Sequence, residues 1–232
     1  LNGMTLHAGS FNVTIELTGV TRHMSKREEA VDAIAAAAVL IPRINGIRFS
    51  GAANAEHASV NRANIGVIRG SLSPEFHDWR PPQVADFVRM SGTVRYGPSQ
   101  SIESVLLDLR TILDELEAEI PGLKTTVEKQ FADERPSMLP FEIEKTAPIV
   151  ASVSKAYKSV RAVDQQLGPV KPYCFYGTDA AHLQSRAGMP GIVCGPGGRY
   201  NTMPDERVDI VDYLDAIRIY LLTILDVCEV AS

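Results

Sequence analysis

Two sets of residues in this chain have types and spacing that could do chemistry. The first is the stretch Gly188–Glu206, GMPGIVCGPGGRYNTMPDE. Its apolar run Ile192-Val193-Cys194 has the length of a buried strand, opens into Gly195-Pro196-Gly197-Gly198, and leads to a helix expected near Asp205. A glycine turn between a strand and a helix start leaves backbone N–H groups free and lets the backbone be approached closely, which suits a ligand group. An ordinary strand-to-helix turn has the same composition, so the loop alone does not decide. The second set is Arg89 and Arg95, on the polar face of one alternating strand. The planar guanidinium fork grips a carboxylate through two hydrogen bonds, whereas a solvated strand face is the plainer reading, preferred for Arg89. His23 stands just ahead of Ser25-Lys26-Arg27-Glu28, and the only tryptophan, Trp79, lies in the proline-rich excursion 71–82. The remaining histidines, His7, His57, His77 and His182, have no metal-ligand spacing and read as surface or satisfied polar residues.

Positioning these residues requires a scaffold, and the hydrophobic pattern supplies one. Phe11, Val13, Ile15 and Leu17 alternate with Asn12, Thr14, Glu16 and Thr18, the period of a half-buried strand. Ser25 and Glu28 have the S-x-x-E spacing of a capping box, opening a helix with Val31, Ile34, Ala38 and Ile41 on its apolar stripe. Short and long strands follow at 64–69 and Val88–Tyr96. Ile102, Val105, Leu106, Leu109, Ile112, Leu113 and Leu116 then stripe a strong helix that Pro121-Gly122 stops. A last strand is expected over Leu123–Phe131. The order β-α-β-β-α-β predicts a ferredoxin-like split βαβ sandwich over 10–131. Residues 132–140 read as a linker. From 141 to 232 the rhythm changes: a helix near 147–167, a strand at 173–176, a helix from Thr178 or Asp179, the Ile192 strand, and a long helix with Ile210, Leu214, Ile217, Leu221 and Leu225 on one face. That alternation predicts an α/β domain whose two short strands need further partners.

Composition sets the outer bounds. With 232 residues, 45% of them apolar, the chain can bury a core. A net charge of −5 provides no basic field for nucleic acid, and no apolar run reaches membrane-spanning length. Three dispersed cysteines fit a reducing, cytoplasmic setting. The start Leu1-Asn2-Gly3, with no initiator Met and no signal-peptide pattern, predicts a fragment, a processed product or an incomplete chain, with residues 1–9 as the junction to a missing N-terminal half.

Taken with Gly177-Thr178-Asp179-Ala180 upstream, the glycine stretch resembles the closing segment of the metallo-amidohydrolases that include acetylornithine deacetylase, succinyl-diaminopimelate desuccinylase, aminoacylase and glutamate carboxypeptidase. Gly9–Ile34, with Gly19 and His23-Met24-Ser25, resembles the opening of that family's lid domain. Gly92-Thr93-Val94-Arg95-Tyr96-Gly97-Pro98 resembles the lid strand that ends in Arg and Pro. The resemblance implies a ferredoxin-like lid followed by the C-terminal part of an α/β catalytic domain, with a homodimer formed through the lid. It also implies a divalent metal (zinc, manganese or cobalt) whose ligands lie mostly outside this chain. The family's closing His, four residues before a Glu, would stand at 202; Thr202 is there instead, four residues before Glu206.

On that resemblance His23 is the lid histidine that steadies the tetrahedral oxyanion in the partner subunit's active site. Arg95, Gly195, Gly197 and Asn201 hold a substrate carboxylate, and Trp79 replaces a substrate-binding Asn by an aromatic contact. The implied activity is cleavage of a C–N bond in a small carboxylate-bearing molecule by metal-activated water. That covers N-acyl amino acid deacylation or deamination of an aromatic amino acid-like compound, with this chain alone inactive. The alternative is a non-catalytic dimerisation or binding protein that kept the lid.

Overall fold

The computed structural model describes residues 1–77, 82–130 and 137–229. In chain order the first elements are β1 (Gly3–Met4), β2 (Leu6–His7), β3 (Gly9–Thr18), α1 (Ala33–Asn45), α2 (Ala55–Ser59), β4 (Arg62–Ser71) and β5 (Phe87–Tyr96). Then come α3 (Ile102–Glu119), β6 (Lys124–Lys129), β7 (Phe141–Glu142), α4 (Pro148–Arg161), β8 (Leu167–Gly168), α5 (Asp179–Ala187) and α6 (Ile210–Val227). They divide into two compact units, Ser10–Ser137 and Leu1–Gly9 with Met138–Ser232. The fold is mixed α/β.

In the Ser10–Ser137 unit, four strands pair in the order β4-β5-β3-β6, the split βαβ arrangement, with α1 and α3 supplying the helices. Phe11, Val13, Ile15 and Leu17 enter the core with Val88, Met90 and Val94, as a period of two requires. Helix α3 buries Val105, Leu109, Leu113 and Leu116, and Ser101 and Ser104 cap it reciprocally. Helix α1 departs from its predicted start and face. Asp32, not Ser25, is the cap, accepting from the N–H groups of Ile34 and Ala35 at 3.0 Å each. The buried stripe is Ala33, Ala36, Ala37, Leu40 and Ile44, which leaves Ile34 46% exposed. Starting the helix seven residues later rotates the stripe, and the small alanines give the sheet close access. Met24–Glu29 is instead a 3₁₀ segment.

The other unit holds two short pairings, β1 parallel to β8 and β2 antiparallel to β7. Phe141, Ile143, Val150 and Ala181 form one cluster, and Val153, Ala156 and Ile219 join α4 to α6 in another. Here three expectations fail locally. Tyr173–Phe175 is a 3₁₀ turn rather than a strand, closed by bonds such as Phe175 N–H to Pro172 O at 3.1 Å. The Ile192 run pairs only at Val193, which exchanges backbone bonds with Met4 at 2.8 and 3.2 Å. Helix α6 begins at Ile210 under an Asp209 cap, because Tyr200, Thr202 and Asp205 all take positive φ and hold the chain out of a helix. The stripe Ile210, Leu214, Ile217, Leu221 and Leu225 stays exposed, while Asp215, Ala216, Ile219 and Thr223 are buried. A helix apolar nearly all round has the pattern of one covered on more than one side.

Candidate functional site

In the unit that contains it, the glycine loop walls a cavity of about 410 Å³, lined also by Asn2, Met4, Tyr173, Arg199, Asn201 and Asp209. Three tyrosine hydroxyls hold this loop. Tyr220 donates to Cys194 O at 2.6 Å, Tyr173 to Gly198 O at 2.8 Å, and Tyr176 to Asn201 O at 3.3 Å. Burial raises the Tyr220 phenol above its ordinary value, so it stays a donor at neutral pH. Gly197 takes φ +72°, a conformation that a side chain would strain. Among the described residues, the N–H groups of Gly195, Gly197 and Gly198 donate to no protein acceptor.

Beyond the glycines the loop folds back on itself. Arg199 and Arg207 exchange backbone bonds at 2.8 and 3.1 Å, Arg207 stacks its guanidinium 5.0 Å over the Tyr200 ring, and Thr202 N–H reaches Glu206 at 3.3 Å. Thr202 sits at φ +62°. A threonine hydroxyl is a poor donor to a metal such as zinc, and among the described residues no three His, Cys, Asp or Glu side chains converge to hold one. The residues present do not fit the divalent metal.

In the Ser10–Ser137 unit, His23 is exposed at the head of the 3₁₀ segment, its backbone bridged to Gln83 ahead of β5. Its Nδ1 accepts from Ser25 N–H at 3.2 Å. Gly19 sets this path: a Cβ there would stand 2.0 Å from Val31 O, so only glycine lets the two segments meet. Arg95 is half-buried near the far end of β5, opposite Arg62 on β4. At 3.3–3.4 Å per residue, Phe87 to Arg95 spans roughly 27 Å. His23 and Arg95 therefore do not meet around one small ligand within a single chain. Arg89 is occupied, paired with Glu16 at 2.7 Å and lying 5.5 Å over each of the Phe76 and Phe87 rings. Trp79 lies outside the described residues.

Sequence reasoning missed the three tyrosines that hold the loop, and it read His7 as a surface or satisfied polar residue without naming its partners. The tyrosines that hold the loop carried no motif, although Tyr173 and Tyr176 flank the turn before Gly177. His7 is fully buried against Phe141, with Nδ1 donating to Ala8 O at 3.0 Å and Nε2 accepting from the Thr178 hydroxyl at 2.9 Å. Thr178 thus spends its hydroxyl on His7 and makes no side-chain cap on α5.

The model of Peptidase family M20/M25/M40 matches residues 8–226, which takes in both units. The chain belongs to that family. Solved structures agree on the fold. A tripeptidase from Staphylococcus aureus subsp. aureus Mu50 is 19% identical with a TM-score of 0.68, over 98% of this chain and 54% of that one. An aminopeptidase PepT from Bacillus cereus is 17% identical with a TM-score of 0.69, over 97% and 54%. An amidase of the hydantoinase/carbamoylase family from Burkholderia phymatum is 14% identical with a TM-score of 0.69, over 98% and 50%. This M20/M25/M40 chain thus spans about half the length of the structures it matches. No curated protein matches it. Among its described residues, no helix is long and apolar enough to cross a membrane.

Proposed function

We propose that this chain is part of a hydrolase that cleaves a C–N bond in a small molecule bearing a carboxylate. Similar structures carry the names of a tripeptidase, an aminopeptidase and an amidase, all of which break C–N bonds. The observation that carries the reading is the tyrosine-held glycine loop. Its N–H groups are free of protein acceptors and Asn201 lies beside it, in a cavity large enough for a small acyl amino acid.

Each residue has a distinct task. The N–H groups of Gly195 and Gly197, with Asn201, bind the substrate carboxylate and fix its orientation. His23 presents Nε2–H to the oxyanion that develops as the carbonyl carbon becomes tetrahedral, a donor of the kind that contributes about 2.7–4 kcal/mol. Arg95 clamps a carboxylate. Because His23 and Arg95 lie at opposite ends of β5, the two serve one substrate only if the lids pair and His23 reaches the partner's site. Homodimerisation through the Ser10–Ser137 unit is therefore part of the proposal. Members of this family are generally metal-dependent. Among the described residues no three His, Cys, Asp or Glu side chains converge to hold a metal, and the proposal assigns the metal's ligands and the general base that would activate water to other parts of a complete enzyme.

The test is a hydrolysis panel of N-acyl amino acids, dipeptides and aminobenzoate-type amines on the complete enzyme, each beside its carboxamide twin. Turnover confined to the free acids supports the reading. Equal turnover of acids and carboxamides removes the carboxylate site, and turnover of none removes the hydrolase.

Thr202 favours a second reading, a binding or dimerisation protein that takes up the carboxylate without cleaving it. That protein would bind the free acids of the same panel by calorimetry and leave them intact.

A further inference from the structure

Two phenols on separate elements close on the two ends of one short loop. Tyr173, on the 3₁₀ turn, meets the carbonyl of Gly198; Tyr220, on α6, meets the carbonyl of Cys194. Between those two carbonyls lie Gly195, Pro196 and Gly197, the segment whose free N–H groups the proposed function uses. Both hydroxyls also lie close to the loop's glycines. A Cβ on Gly195 would be 3.5 Å from the Tyr220 Oη, and one on Gly197 would be 3.4 Å from the Tyr173 Oη.

We infer that Tyr173 and Tyr220 are positioning residues that turn this loop into a carboxylate site, an inference that rests on the reading of the loop given above. Two effects combine. A peptide carbonyl near a carboxylate repels it, and a phenol O–H donating to that carbonyl draws its negative end away from the ligand. A glycine-rich segment otherwise samples many conformations, and anchoring both ends removes that entropy before the ligand arrives. The pair therefore acts on charge selectivity as well as on rigidity. It discriminates a carboxylate from an uncharged group of the same shape, although neither hydroxyl belongs to the set of donors that binds the carboxylate.

The experiment uses the ¹⁵N-glycine-labelled protein, titrated with N-acetylglycine and separately with N-acetylglycinamide, and reads the amide shifts of Gly195, Gly197 and Gly198. In the wild type these amides should move with N-acetylglycine and far less with the amide twin. Tyr173→Phe and Tyr220→Phe each keep the ring and remove one donor. Each should weaken N-acetylglycine binding by about two- to tenfold, the size of one hydrogen bond, and weaken N-acetylglycinamide binding less, so that the acid-over-amide preference shrinks. Unmoved glycine amides elsewhere in the spectrum certify the fold, and because the tyrosines sit on different elements, loss of fold in one variant leaves the other as the test. If the wild-type loop amides ignore both compounds, the carboxylate reading falls and takes this inference with it. If the wild type prefers the acid and both variants keep the same preference, the reading stands and the role of the tyrosines is overturned.

Discussion

Ser25 holds His23 by its backbone: the Ser25 N–H donates to Nδ1 of the ring at 3.2 Å, and the Ser25 hydroxyl lies 2.9 Å from the same nitrogen. A backbone N–H can only donate, so Nδ1 is the acceptor and the neutral ring carries its proton on Nε2. The ring thus turns a donor outward, the form that an oxyanion requires.

His23→Ala should lower kcat and kcat/KM together by about 10²–10³-fold, with substrate affinity little changed, because the proposed donor acts on charge present only in the transition state. The ¹⁵N shifts of the His23 ring should report the Nε2–H tautomer in the free protein. An Nδ1–H ring, or a variant that raises KM alone, would remove the oxyanion role.

A second consequence follows from the separation of His23 and Arg95 along β5. In the proposed lid-paired dimer, a mixture of His23→Ala and Arg95→Ala chains should regain up to half of wild-type turnover per mixed dimer, since one of its two sites then has both residues intact. Dead mixed dimers, with subunit exchange shown by mass spectrometry, would place both residues in the site of their own chain.

Gly19→Ala should destabilise the Ser10–Ser137 unit by about 1–3 kcal/mol in urea unfolding, the usual cost of overpacking, because the new methyl meets backbone that has no flexible end to yield. Unchanged stability would mean that the Gly19 and Val31 segments separate at little cost.

Glu117 predicts an acid response. The Thr125 hydroxyl first, and then Arg110, hold its carboxylate below the ordinary range. Its folded-state value being depressed, the folded protein binds fewer protons than the unfolded one through the acid window. The stabilisation is complete above about pH 4.3, the unfolded value, and fades as pH falls through the lower folded value. Glu117→Gln should remove that dependence, so that its stability deficit relative to the wild type narrows below about pH 4. A deficit constant from pH 6 to pH 3 would show that the carboxylate gains nothing from folding.

Periodicity made β3, β5 and α3 of the split βαβ unit legible, because half-buried strands and a striped helix write their faces into the chain; β4, mostly exposed, was read as the shorter strand 64–69. It misplaced α1 because Ser25 has the spacing of a cap while Asp32 makes the bonds. The glycine loop was legible as unusual backbone, whereas the side chains that hold it were not. Gly-Pro-Gly-Gly announces unusual backbone, but Tyr173 and Tyr220 stand 25 and 26 residues from the carbonyls they meet, and no local pattern marks a side chain whose partner is a distant carbonyl. The strand expected at 173–176 failed likewise: Val170 and Pro172 carbonyls capture the N–H groups that a sheet would have needed.

The left-handed backbone at Thr202 bears on how this chain could change. A β-branched residue at φ +62° is an outlier, whereas histidine is among the few non-glycine residues enriched there. The loop therefore bends in a way that favours a histidine over the threonine it holds. Conformationally, the path between the two is a single side-chain exchange with no rebuilding of the turn, and it runs downhill toward histidine.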